Sequence, residues 1–75
     1  MKATIEFNLP EDNCSHIIAV NALGFALTCW DMEAELRNWL KYGHKFDTPN
    51  DAISAIREKL HEILDVRGVN LDMIE

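Results

Sequence analysis

Four apolar residues near the start of the chain, Ala3, Ile5, Phe7 and Leu9, alternate with Lys2, Thr4, Glu6 and Asn8. A period of two with β-branched and aromatic content predicts a half-buried strand, ended by Pro10. Glu11, Asp12 and Asn13 then read as a first helical turn, with Pro10 preset in φ and the acids set favourably against the helix dipole. Ile17, Ile18, Ala19, Val20, Ala22 and Leu23 follow, predicting a short helix with a break near Asn21 to Gly24.

From Phe25 the apolar spacing becomes helical over a longer stretch. Phe25, Cys29, Met32, Leu36, Trp39 and Leu40 share one face, and Leu23, Leu27, Trp30 and Ala34 form a second stripe beside it. A helix this apolar is expected at the centre of the fold. Its polar face carries Asp31, Glu35 and Asn38, and Glu33 and Arg37 stand four apart in the favourable order. Lys41, Tyr42 and Gly43 mark its end, and His44 to Asp47 read as loop. Thr48-Pro49-Asn50-Asp51 combines an N-cap threonine, proline at the first helical position and an acid in the capping-box position. The helix that follows is expected to run to Arg67 on a buried stripe of Ala52, Ile53, Ile56, Leu60, Ile63 and Leu64, and Gly68 stops it. Val69, Leu71 and Met73 alternate with Asn70 and Asp72 and predict a short C-terminal strand. The expected fold is therefore α+β: one N-terminal strand, two or three helices and a possible last strand.

A single strand leaves its backbone groups unpaired, so the first one needs a partner. Either the segment from Val69 to Met73 supplies it, or two N-terminal strands pair across a symmetric dimer that also buries the Trp30 and Trp39 helix. Length sharpens the choice. Seventy-five residues make one domain, residues 1–75, and a chain this short gains little from its core unless a disulfide, a metal or an oligomer staples it. A homodimer with Ile5, Phe7 and Trp30 as contacts is the expected staple.

Composition narrows the function classes. Hydrophobic residues make up 48% and charged residues 27%, the proportions of a chain that folds. Thirteen acidic against seven basic residues give a net charge of -6, which argues against direct nucleic-acid binding. The uncharged run from Asn13 to Trp30 holds too many polar residues to predict a membrane span. Cys14 and Cys29 make no disulfide framework, and Met1-Lys2-Ala3-Thr4 opens no leader pattern, so a cytoplasmic protein with reduced thiols is expected.

Candidate chemistry is sparse. Cys14, His16, Cys29, His44 and His61 lack the paired spacing of a zinc site, and Cys14 has Glu11 and Asp12 nearby, which disfavours a thiolate. Asp31 with Glu35, and Glu58, Glu62 and Asp65, are spaced as on solvated helix faces. No phosphate-loop, dinucleotide, metalloprotease or serine-elbow motif occurs. The expectation is no catalytic residue, no metal and no cofactor: a non-enzymatic protein. The informative residues are aromatic. Trp30, Trp39, Tyr42 and Phe46 exceed what a small interior hides, and aromatics rimmed by carboxylates suit a surface that meets a basic partner protein, such as one that itself binds nucleic acid. Asp31, Glu35, Trp39, Tyr42 and Phe46 are the expected partner contacts. The alternative is a homo-oligomer that sequesters a small anionic or nucleotide ligand, for which Lys2, Arg37, Lys41, Lys45, Arg57, Lys59 and Arg67 are the available cations.

The order Glu6-Phe7-Asn8-Leu9-Pro10-Glu11-Asp12, then Trp30-Asp31-Met32-Glu33 and Leu36-Arg37-Asn38-Trp39-Leu40-Lys41-Tyr42-Gly43, then Arg57-Glu58-Lys59-Leu60-His61-Glu62-Ile63-Leu64 before Gly68-Val69, resembles small accessory proteins of tailed bacteriophages and prophages. That resemblance implies a protein that binds and inhibits a host enzyme or defence complex, CRISPR–Cas included, in the host cytoplasm. It carries over no catalytic residue.

Overall fold

The computed structural model describes residues 1–74. Three helices follow in order: α1 over Asn13–Val20, α2 over Ala22–Tyr42 and α3 over Pro49–Val66, with a C-terminal 3-10 turn at Leu71–Ile74. No strand occurs among the described residues, so the expected α+β fold is corrected to an all-helical one. Residues 1–8 have no regular structure, with Ile5 exposed and Phe7 half-buried. The reason lies at the other end of the chain. The segment from Val69 to Met73 is committed to helix-end and turn hydrogen bonds: Val69 N–H donates to the Leu64 carbonyl at 3.0 Å, and Met73 N–H to the Asn70 carbonyl at 3.3 Å and side chain at 3.2 Å. Alternation states which side chains a strand would turn inward but supplies no neighbour, and an unpaired strand is not formed. The pairing between N-terminal strands that the dimer expectation used loses its premise with them.

The helix boundaries follow local chemistry. Thr48 sits in extended backbone and its Oγ1 accepts from the Asp51 N–H at 3.1 Å, with Pro49 at the first position of α3. At the other end Gly68 takes φ +71°, its N–H donates to Asp65 O at 3.1 Å, and the Val69 to Leu64 bond completes a Schellman closure. That closure turns Val69 back onto the body, where both it and Leu64 are buried. Gly43, at φ +93°, ends α2 with its N–H on the Trp39 carbonyl at 3.0 Å. Between α1 and α2 the axis bends by 54° at Asn21, whose side-chain amide donates to the Ile17 carbonyl at 2.8 Å.

Helices α2 and α3 form an antiparallel pair: Gly24 meets Val69, Asp31 meets Arg67, and Leu36 shares a groove with Ile56. The 3-10 turn and α1 pack together across the end where α1 meets α2. The buried set is small, namely Thr28, Ile63, Leu64 and Val69. Thr28 is 4% exposed, and its hydroxyl donates to the Gly24 carbonyl at 2.8 Å, which satisfies it within its own helix. The face of α2 turned to α3 thus includes Gly24, Thr28 and half-buried Asp31 and Glu35. Cys29 and Leu40, expected inside, are exposed. Trp30, expected as a dimer contact, is 74% exposed. In α3 the expected stripe is retained except at Ile53, which faces out.

The molecule is drawn out to 50 × 30 × 17 Å, with a radius of gyration of 16.4 Å. A compact chain of this length has about 11 Å. Its accessible surface of 6384 Å² is about 1,700 Å² above the ~4,700 Å² of a compact monomer of this mass.

The closest approach in the pair lies at Gly24, where an added Cβ would stand 2.7 Å from Val69 Cγ1 and 3.2 Å from the Arg67 carbonyl. Gly24→Ala should therefore destabilise the protein by about 1 kcal/mol, the overpacking cost exceeding the helix-propensity gain of alanine. Urea unfolding checks this, and the penalty of Gly24→Ala should shrink when Val69 is already alanine. Equal penalties in both backgrounds would show that the contact with Val69 is not the cause.

Candidate functional site

Where α2 ends and α3 begins, the loop folds Phe46 back beneath the last turns of α2. Its ring meets Trp39 edge-on, with centroids 5.2 Å apart and planes at 81°, and stacks on His44 at 4.9 Å and 20°. The His44 ring is held by its own loop, since Nδ1 accepts the Phe46 N–H at 3.2 Å. Edge-to-face and stacked pairs of this kind add stability beyond the area they bury. Leu36, Trp39 and Leu40 from α2, His44 and Phe46 from the loop, and Ala52 and Ile56 from α3 line an open apolar groove of about 290 Å³. Trp39 and Phe46 are half-buried in its walls, while Leu40, 86% exposed, stands at its lip. The arrangement has the chemistry of a receptacle for an apolar or aromatic side chain.

Of the residues singled out in the sequence, the fold thus brings Trp39 and Phe46 together. Tyr42 lies apart from the groove on the neighbouring side of α2, exposed, with Lys41 Nζ 5.3 Å from its ring centroid. Around it Ala34, Arg37, Asn38, Leu40 and Lys41 shape a shallow concavity of about 450 Å³ that contains two cations. Glu35 is half-buried on the α3 side. Asp31 is engaged inside the molecule: its Oδ2 accepts from Arg67 Nε at 2.8 Å and lies 2.7 Å from Nη2. Among the expected dimer contacts, Ile5 is in the exposed N-terminal segment, Phe7 has its ring 5.4 Å from that of His16, and Trp30 points outward from α2. Leu36, Leu40, His44, Ala52 and Ile56 were not singled out as site residues. The available signal was the Leu36, Trp39, Leu40 cluster followed by aromatic residues in a short interhelical loop.

Among the described residues no group of three or more His, Cys, Asp or Glu side chains is placed to hold a metal ion. No single helix is long and apolar enough to cross a membrane; α1 and α2 meet that measure only when taken together across their 54° bend. Comparison with known protein families, curated proteins and solved structures gave no match. The phage resemblance and its anti-CRISPR implication find no support in those comparisons.

The hydrogen bond from Arg67 holds the Asp31 carboxyl below its usual 3.8, against an opposing desolvation and with a lesser contribution from the guanidinium charge, and Arg67 is raised in return. A carboxylate whose folded pKa is depressed contributes stability that is complete above the unfolded value and is lost as pH falls through the folded one. Acid unfolding followed by circular dichroism should therefore show a loss of stability below about pH 4 that Asp31→Asn reduces. An unchanged acid limb in the variant would remove this pair from the account of acid stability.

Proposed function

We propose that this chain is a non-enzymatic binding protein that seats an apolar or aromatic side chain of a basic partner protein in the groove between α2 and α3. The observation that carries the reading is the groove itself, an apolar concavity floored by Trp39 and Phe46 and open beside an exposed leucine. An anchor residue entering such a groove is how a few side chains come to dominate protein–protein affinity. The net charge of -6 supports a basic partner, since complementary fields speed encounter and suppress wrong partners. Occupying such a partner's anion-binding face would inhibit it by occlusion. The two free thiols, Cys14 and Cys29, suit a reducing compartment, and the proposed location is the cytoplasm.

A second reading, an oligomer that holds a small anion, is favoured by Arg37 and Lys41 beside Tyr42. It differs in its readout, a ligand-induced rise in melting temperature with no protein partner present.

Capture from bacterial lysate should retain a basic protein at low salt and release it at about 1 M salt, where charges are screened beyond ~3 Å. Leu40→Glu, at an exposed position that folding does not depend on, should abolish retention while leaving the helical spectrum unchanged. Retention of the same protein by the Leu40→Glu variant would exclude the groove as its docking site.

A further inference from the structure

The outer face of α2 carries a second apolar stripe that is turned away from α3 and is largely exposed. Leu23, Leu27, Trp30 and Ala34 are spaced four, three and four apart, and Val20, just before the bend, extends the pattern by three. Val20 is 65% exposed, Leu23 71% and Trp30 74%; Leu27 is half-buried and Ala34 exposed. Alternating threes and fours are the spacing by which one helix meets another along a narrow seam. Helix α3 does not use it, because α3 packs against the face that contains Gly24, Thr28 and Asp31.

We propose that this seam is a self-association surface on which the α2 helices of two copies pack antiparallel about a two-fold axis between Leu27 and Trp30. In that register Leu27 of one copy lies opposite Trp30 of the other, and Leu23 opposite Ala34, so the two largest pairs flank the axis and a large–small pair lies on each side of them. Three observations favour a second copy as the occupant.

The first is charge. The molecule carries -6 overall, yet no seam position is a carboxylate, and the spacing continues into Arg37 and Lys41. A parallel pair would set each of these cations against its own image, whereas the antiparallel pair sends them to opposite ends, with Arg37 opposite Val20 of the other copy. The second is width. From Trp30 onward the stripe is bounded by Glu33 and Asn38 and has the width of a helix, whereas between Ala22 and Trp30 the exposed positions Ala22, Leu23, Ala26, Cys29 and Trp30 are all apolar, so a lipid surface is the competing occupant that the test must exclude.

The third is area. The excess surface of about 1,700 Å² is roughly twice the ~800 Å² that each partner contributes to a stable interface. The extended N-terminal segment accounts for part of it and the outer face of α2 for another part. With four buried residues among those described, the chain gains from such a contact the staple its length calls for. The inference does not rest on the groove at the far end of the hairpin, which the seam residues do not line.

The test is light scattering over a roughly hundredfold dilution series, with Trp30→Glu beside the wild type. The expected result is a mass twice the 8.6 kDa of the chain for the wild type, and monomer of unchanged helicity for the variant. Wild-type monomer at every concentration, or a dimer that Trp30→Glu leaves intact, overturns the proposal. Monomer that floats with phosphatidylcholine vesicles overturns it in favour of a lipid surface. Should Trp30→Glu not fold, cross-linking decides the matter. With Cys14 and Cys29 replaced by serine, Leu23→Cys mixed with Ala34→Cys should form the mixed disulfide faster than either forms its own. Faster homodisulfides, or none, overturn the antiparallel register. Loss of the dimer with retained Leu40-dependent capture would separate this surface from the groove.

Discussion

The whole arrangement depends on how closely the end of α3 approaches the start of α2. Gly24 has no Cβ, so Val69 and the Arg67 carbonyl can come within a distance that any side chain would forbid. The Schellman closure at Gly68 delivers Val69 to that place, and the same turn brings Arg67 alongside Asp31. Neither glycine has a side chain to pack, yet between them they decide which face of α2 becomes the inside. The aromatic groove and the outward seam then follow as the residual faces of a helix whose inner side has been assigned.

Core size explains why so much apolar surface is left over. Among the described residues thirteen large hydrophobic side chains are exposed, against three buried in the core, Ile63, Leu64 and Val69. A three-layer fold would have covered more, but 21 residues in α2 and 18 in α3 make only a two-helix layer with α1 folded over one end. Such a pair has an inside one residue deep. The exposed residues divide into two classes: Ile5 and Leu9 belong to a segment with no regular structure, whereas Leu23 and Trp30 sit on a rigid helix at regular spacing. A regular stripe on a rigid element has the form of a surface made to be covered.

The end of α2 and both limits of α3 were legible in the sequence because they are set by local chemistry, whereas α1 begins at Asn13 and leaves Glu11 and Asp12, expected in its first turn, outside it. Thr48, Pro49 and Asp51 state where α3 begins, and Gly43 and Gly68 supply the left-handed backbone at two ends. The strands were misread because alternation is a property of a segment, whereas pairing is a property of two segments. The inner face of α2 was misread in part, at exposed Cys29 and Leu40, for a related reason, while Phe25, Met32, Leu36 and Trp39 of the expected face are half-buried. Two apolar stripes on one helix are equivalent until something distant chooses between them, and the choice was made by Val69 and by an arginine 36 residues away from Asp31. A carboxylate that looked like a partner contact became half of an ion pair within the same chain, at its surface. The groove was half legible: Trp39 and Phe46 stood out as aromatics, but the leucines and alanine around them read as ordinary core.

The two tryptophans fall on opposite sides of this division. Trp39 has an aromatic neighbour at 5.2 Å and sits half-buried in the groove wall, while Trp30 projects from the outer face into water. Helix α2 therefore contains two built-in optical reporters with different environments, one sensitive to the closure of the hairpin and the other to whatever covers the outer stripe. Versions of the chain keeping one indole at a time would separate folding from assembly by emission colour alone, without a label attached to either surface.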